Sequence, residues 1–321
     1  MTPLTFSPIL KPKVWGGRRL AHWGKALPDA ISIGESWELA DLPLSIENGR
    51  SIVDSGLAAG TTLRRLIEQD QNALLGRCSP SVDGGFPLLV KLLDARENLS
   101  VQVHPDPAYA AAHPESHLKT ESWVILEAEP GSVIYKGIQE GVTPQQFADA
   151  IADGTVTDLL ITVPAKAGEC HDLPSGTCHA LGAGVLVAEV QTPSDTTFRV
   201  FDWGRTDRSL HIDAALQCIE FAPAAPISEP TVLEQDGLRA SLLSHTDFYA
   251  IERLDAINAC QVPVDPDGAP EVLMTIAGEA ALDGHSMPQG CTTLLPASLA
   301  PGIMQMNAGT SVLRITIDSA E

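Results

Sequence analysis

Short aliphatic runs closed by Gly, Pro or Asp recur along the chain: FPLLVKLLDA, LSVQVHP, ESWVILEA, GSVIYKG, GVLVAEVQT, TTFRVFDW, EVLMTIAG, CTTLLPA and SVLRITID. Runs of this length, β-branched or alternating and bounded by turn residues, predict strands. EAEPGSV, between two of them, predicts a turn joining neighbouring antiparallel strands. Helical patterns are few. TTLRRLIEQD carries a threonine cap with apolar residues at Leu63, Leu66 and Ile67. DPAYAAAH offers Asp106 as N-cap with Pro107 in the first turn, and TPQQFADAIADG repeats the device with Thr143, Pro144 and a terminating Gly154. Many short strands with few helices predict a mainly β chain, as a barrel or jelly roll.

One strand breaks the ordinary pattern. Side chains of a strand point to opposite faces with a period of two. In LSVQVHP this puts Leu99, Val101 and Val103 on one face, and Ser100, Gln102 and His104 on the other. The second row aims lone pairs at one region of space. Two further ligand-type residues stand at predicted strand edges: Glu121 in KTESWVIL and His179 in LPSGTCHALGAG. A divalent ion such as zinc needs three or four nitrogen or oxygen donors converging at about 2.0–2.2 Å. Gln102, His104, Glu121 and His179 therefore form the candidate metal set, against the alternative of ordinary hydrogen-bonded strand residues. His245 and His285 have no partners at ligand spacing, and His22, His113, His117, His171 and His211 sit in polar or loop-like contexts; all seven are read as structural.

Composition narrows the partners. With 321 residues, 44% of them hydrophobic, the chain can build more than one core. FAPAAPISEPTVLEQDG, rich in proline and alanine and without periodicity, reads as a boundary between domains. The formal charge of −21 argues against nucleic acid or an anionic membrane surface as a partner. A small anion still fits if some site gathers the scarce cations, and Arg199, Arg205 and Arg208 all fall within FRVFDWGRTDR. Strand alternation puts Thr197 and Phe201 on the face of Arg199; the alternative role for Arg199 is a surface ion pair with Asp195 or Asp202. The six cysteines include no CxxC pair, so they read as reduced thiols rather than a zinc-thiolate cluster. No apolar run approaches the roughly 20 residues that span a bilayer, and the segment before LTFSPIL is too short for a signal peptide, so a cytoplasmic protein is expected.

LSVQVHP, KTESW and PSGTCHALGAGVLVAEVQTPSDTTFRVFDWGR, taken together, resemble the type I phosphomannose isomerases of the cupin superfamily, in their short bacterial form. VWGGRRL, IGESWELA and GGFPLLVKLLDA extend the likeness over most of residues 6–210. Leu118, where short-form relatives commonly have glycine, and GECHDLP depart from the family pattern beside the site. The resemblance implies two cupin-like jelly-roll barrels, and the proline-rich boundary divides the chain into a catalytic domain over residues 1–222 with short helices inserted, a linker over 223–237, and a smaller β domain over 238–321. It implies one Zn(2+) per chain on Gln102, His104, Glu121 and His179, a catalytic Arg199, and substrate contacts from Ser100, Lys119, Glu189, Asp195 and Arg205. The implied reaction interconverts mannose 6-phosphate and fructose 6-phosphate through a cis-enediol. Lys119 and Arg205 are then candidates for the phosphate, while Glu189, Lys119 or a zinc-bound hydroxide would move the proton. Two alternatives remain from the residues alone: a non-haem iron oxygenase, whose facial triad also takes two histidines and a carboxylate, and a non-catalytic sugar-binding cupin.

Overall fold

The local signals read from the sequence act as capping chemistry requires. Thr62 accepts from Arg65 N at the start of helix Leu63–Gln69, and Asp106 accepts from Tyr109 N at the start of Pro107–Ala112. Thr143 and Gln146 form a reciprocal capping box on Pro144–Asp153, which ends at Gly154 with φ 74°. These caps satisfy amide protons that the first turn leaves without partners.

A computed structural model describes residues 1–317, and strands dominate it. One antiparallel sheet takes Ile9–Gly17, Ile33–Leu39, Leu89–Ala95, Val185–Gln191, Glu121–Ala128 and Cys170–Leu173 in that spatial order. Facing it are Phe198–Phe201, Val101–Val103, His179–Leu181, Val133–Ile138 and Leu160–Pro164. A second sandwich pairs a seven-stranded sheet, whose centre is Glu271–Ala277, Ser311–Ile317 and Tyr249–Ala256, with a four-stranded one. This is a mainly β, cupin-type architecture with few helices. The turn EAEPGSV, expected from its sequence to join neighbouring antiparallel strands, does not. It carries the chain from the six-stranded sheet across to the five-stranded one, with Gly131 at φ 85°.

Alternation along the central strands assigns their two faces. Val90, Leu92, Val124, Leu186, Ala188 and Val190 point outward and pack on Tyr249, Ile251, Met274 and Leu313 of the seven-stranded sheet. The intervening residues, Leu93, Trp123, Ile125 and Val187, fill the first sandwich. Helices Pro144–Asp153 and Ile212–Cys218 cover the other side of the five-stranded sheet, where Val101, Val103, Phe198 and Val200 meet Phe147 and Ala215.

Three further details depart from the sequence expectation. Leu99 packs with Trp15 and Leu93 inside the sandwich rather than beside Val101 and Val103, because the strand begins only at Val101. Phe201 packs on the helix side, away from Thr197 and Arg199, because the pairing slips between Arg199 and Phe201. Within the stretch read as a linker, Thr231–Gln235 forms an edge strand of the seven-stranded sheet. Its hairpin to Leu238–His245 turns at Asp236 and Gly237, both with positive φ, the geometry that suits a tight two-residue loop. All five residues of that strand are exposed, so no hydrophobic alternation marked it. The first strand, Leu4–Thr5, pairs with Thr292–Leu295 and so belongs to the second sandwich.

Candidate metal centre

Antiparallel register gathers the site from both sheets of the first sandwich. In the five-stranded sheet, Arg199 lies opposite Gln102, Gln102 opposite His179, and His179 opposite Lys136, one row across four strands. In the facing sheet, Glu121 lies opposite Gln191, and Trp123 opposite Glu189. Glu121 and His179 are fully buried and His104 is 1% exposed.

Both imidazoles are oriented by backbone carbonyls. His104 Nδ1 donates to Thr196 O at 3.0 Å, and His179 Nδ1 donates to Thr177 O at 2.8 Å. Each Nε2 is then left with its lone pair, facing the same carboxylate: His179 Nε2 is 3.1 Å from Glu121 Oε1 and His104 Nε2 is 3.3 Å from Oε2. Neither Glu121 oxygen has a well-directed hydrogen-bond donor. Acceptor atoms facing acceptor atoms in a buried site repel unless a cation stands among them; Lys119 meets Glu121 Oε2 and His104 Nε2, while Glu121 Oε1 and His179 Nε2 still face each other as acceptors. The three side chains place one ligand atom each within 4.8 Å of one another. A second contact on the outer ring nitrogen is what fixes the tautomer of a metal-binding histidine. These donors fit a divalent ion of the zinc type.

The electrostatics point the same way. Burial and the Lys119 ammonium push His104 down to about 3, leaving it neutral and able to ligate. Burial alone would raise Glu121, but the Lys119 ammonium holds it well below the usual carboxylate range. Lys119 Nζ sits 2.6 Å from Glu121 Oε2 and 3.0 Å from His104 Nε2. Gln102 reaches the same place, its amide nitrogen 3.4 Å from His179 Nε2; turning the amide over presents the oxygen instead. Ser100 donates to Gln102 Oε1 at 3.4 Å.

From this group a cleft opens to the surface. Lys13, Lys91, Lys119, Arg199 and Arg208 line it, with Glu35, Glu189 and Asp195. Five of the chain's 20 Lys and Arg thus meet in one place, on a protein of charge −21. Arg199 Nε is buried without a partner, and burial and the nearby Arg208 lower its pKa. Both Glu189 oxygens are committed, one to Lys91 Nζ at 2.9 Å and the other to Trp123 Nε1 at 2.8 Å. Glu35 accepts from Trp37 and pairs with Lys13; against the cost of burial, Lys13 and Lys91 bring it down to about 2.

Ser100, Gln102, Lys119, Glu189, Asp195 and Arg199 thus all border the cleft, next to His104, Glu121 and His179. Arg205 does not. It binds Asp202 and the Asn98 carbonyl and lines a different depression beside Trp203. Arg208, from the same arginine-rich stretch, takes its place on the cleft wall. A wider, mostly apolar hollow near Pro80, Val82 and Phe248 carries none of the site residues expected from the sequence.

A family model described as phosphomannose isomerase type I, catalytic domain, matches residues 4–129. A mannose-6-phosphate isomerase of Streptococcus mutans is 33% identical over 92% of this chain and 93% of its own length. The chain belongs to the type I phosphomannose isomerase family. Mannose-6-phosphate isomerase ManA of Bacillus subtilis is 38% identical over 78% of each chain. The crystal structure of a mannose 6-phosphate isomerase from Bacillus subtilis superposes with a TM-score of 0.86 at 28% identity, covering 98% of this chain and 99% of that one. An Archaeoglobus fulgidus structure at 20% identity, with a TM-score of 0.78, shares the fold.

Family membership makes the chain an isomerase. Among the described residues no helix is long and apolar enough to cross a membrane. The cysteines of the isomerase form no disulfide among those residues.

Two expectations follow from buried groups around the site. Lys91 and Glu189 are almost wholly buried as a pair, so Lys91→Met leaves a buried carboxylate without its cation. The expected cost is about 3–5 kcal/mol, read by denaturant unfolding. His171 is fully buried and lies opposite Trp123 in the six-stranded sheet. Burial and Lys136 push it down to about 4, partly opposed by Glu169 and Asp172. The unfolded chain takes up a proton at this residue near pH 6.5 and the fold refuses it until about 4. Its contribution is therefore intact above pH 6.5 and is lost as pH falls toward 4. Thermal midpoints measured from pH 7.5 to 4.5 should fall more steeply for wild type than for His171→Gln.

Proposed function

We propose that the chain interconverts mannose 6-phosphate and fructose 6-phosphate through a cis-enediol, with one zinc ion held by Gln102, His104, Glu121 and His179. The observation that carries the metal reading is the buried Glu121 carboxylate faced by two imidazole lone pairs. When bound there, zinc supplies a Lewis acid with open positions for sugar oxygens. The catalytic unit is assigned to residues 1–222, which carry all of these side chains.

The chain's own residues supply the rest. Moving a proton between adjacent carbons builds negative charge on the flanking oxygens, and fixed donors in a dry site stabilise it. Arg199 sits beside Gln102 with its Nε proton uncommitted, so its guanidinium is free to hold an oxygen of the enediol. Lys119 stands between the ligand set and the cleft and keeps that region positive. Glu189 accepts from Lys91 and Trp123 at once and holds the lysine on the wall. Lys13 and Arg208 add positive charge for a phosphate of roughly two negative charges. Ser100 and Asp195 border the space left for the sugar hydroxyls.

A coupled assay on mannose 6-phosphate, run as purified, after chelation and after zinc is returned, tests this reading. Turnover should vanish on chelation and return with zinc. Full turnover after complete removal of metal overturns it.

A further inference from the structure

Where the two sandwiches pack together, their apolar contacts enclose a buried polar network around Tyr249. Tyr249, fully buried, comes from the seven-stranded sheet, and its hydroxyl lies 3.0 Å from Val190 O and 3.0 Å from Ser122 Oγ. Val190 and Ser122 are partners in register on adjacent strands. Ser122 Oγ donates to Asp172 Oδ1 at 2.6 Å, and Asp172 is the register partner of Ser122 on the next strand. Ser244, again from the seven-stranded sheet, donates to the same oxygen at 2.6 Å. A bulge between Leu242 and Ser244 turns Ser244 into the interface beside buried Leu243. Two hydroxyls of the second sandwich thus grip one row, Val190, Ser122 and Asp172, across three strands of the first.

That row is the reverse side of the metal centre. Alternation puts the pairs Gln191 and Glu121, and Glu189 and Trp123, immediately to either side of Val190 and Ser122, on the face turned toward the cleft. Residues one step apart share their backbone, so a shift of Ser122 or Val190 moves Glu121 and Glu189 with it. A polar network in an apolar interface is costly unless every member is satisfied, and once satisfied it fixes one arrangement where greasy contacts tolerate several.

We propose that Tyr249 is a positioning residue through which the second sandwich sets the placement of Glu121 against His104 and His179. This rests on the metal reading above. Ligand sites lose affinity steeply when their supports loosen, by about 10–100-fold for a direct partner of a ligand. Tyr249 acts one step further away, so a loss near the lower end of that range is expected.

The test measures zinc affinity by competition with a chromophoric chelator, along with thermal midpoint and kinetics at saturating zinc. Tyr249→Phe keeps the ring and removes the hydroxyl; it should weaken zinc by about tenfold and lower kcat with KM for mannose 6-phosphate little changed. Ser244→Ala, which leaves the aromatic packing alone, should weaken zinc in the same direction by about threefold. Ile251→Val trims an apolar contact of the same interface; it should lower the thermal midpoint and leave zinc affinity as in wild type. Unmoved zinc affinity in Tyr249→Phe, with wild type binding normally, overturns the inference alone. So does an Ile251→Val that weakens zinc as much as Tyr249→Phe does. A wild-type chain that takes up no zinc overturns the metal reading instead.

Discussion

Replacing His179 by alanine is expected to empty the metal centre and stop the reaction. Its Nε2 is one of two imidazole nitrogens facing Glu121, and its ring packs edge-on against Trp123 with centroids 5.3 Å apart. No side chain nearby replaces that nitrogen: His104 already faces the other carboxylate oxygen, and Gln102 offers a weaker amide. Losing a ligand outright should exceed the roughly 10–100-fold cost of losing a ligand's outer partner. Metal per chain after dialysis should fall below about a tenth of the wild-type value, with turnover falling in proportion. Lys119 would remain as a counter-charge for Glu121, so the fold itself should survive. Retained metal and turnover in folded His179→Ala would remove this residue from the site.

Arg199→Ala should separate rate from metal. Arg199 faces the cleft beside Gln102 but touches neither Glu121 nor the imidazoles, and its Nε has no partner to lose. Zinc content should therefore stay at the wild-type level. Removing one preorganised donor aimed at developing negative charge typically costs about 10²–10³ in kcat. Arg199→Lys should recover only part of this, because an ammonium is a point charge without the guanidinium's fork of donors. Steady-state kinetics with metal analysis on the same samples reads both. An unchanged kcat in Arg199→Ala would assign the charge stabilisation elsewhere, with Arg208 and Lys119 next in line.

Strand alternation and capping chemistry made much of this molecule legible beforehand. Gln102 alternates with Val101 and Val103, and that alone told which of them faces the site. Thr62, Asp106 and Thr143 announced three helices because each cap is a local hydrogen bond. What escaped was set by partners distant in sequence. Arg205 and Arg208 look alike in FRVFDWGRTDR, and both bind Asp202; only the folded loop shows that Arg208 borders the cleft while Arg205 turns to Asn98. Lys13, Glu35 and Lys91 gave no local sign, since a single charge in a strand reads the same whether it meets solvent or a cleft. The turn at EAEPGSV has ordinary turn residues, and nothing in them says whether the next strand pairs with the last or crosses to another sheet. The network at Tyr249 was invisible for the same reason: Ser122, Asp172, Ser244 and Tyr249 meet only after the two sandwiches pack.

The most direct measurement is elemental analysis of the purified chain, paired with the mannose 6-phosphate assay on the same preparation. One zinc per chain is expected, lost together with isomerisation on chelation and lost in His104→Ala, Glu121→Gln and His179→Ala. Iron at full occupancy with oxygen consumption, or a metal-free chain that isomerises at the full rate, would contradict it.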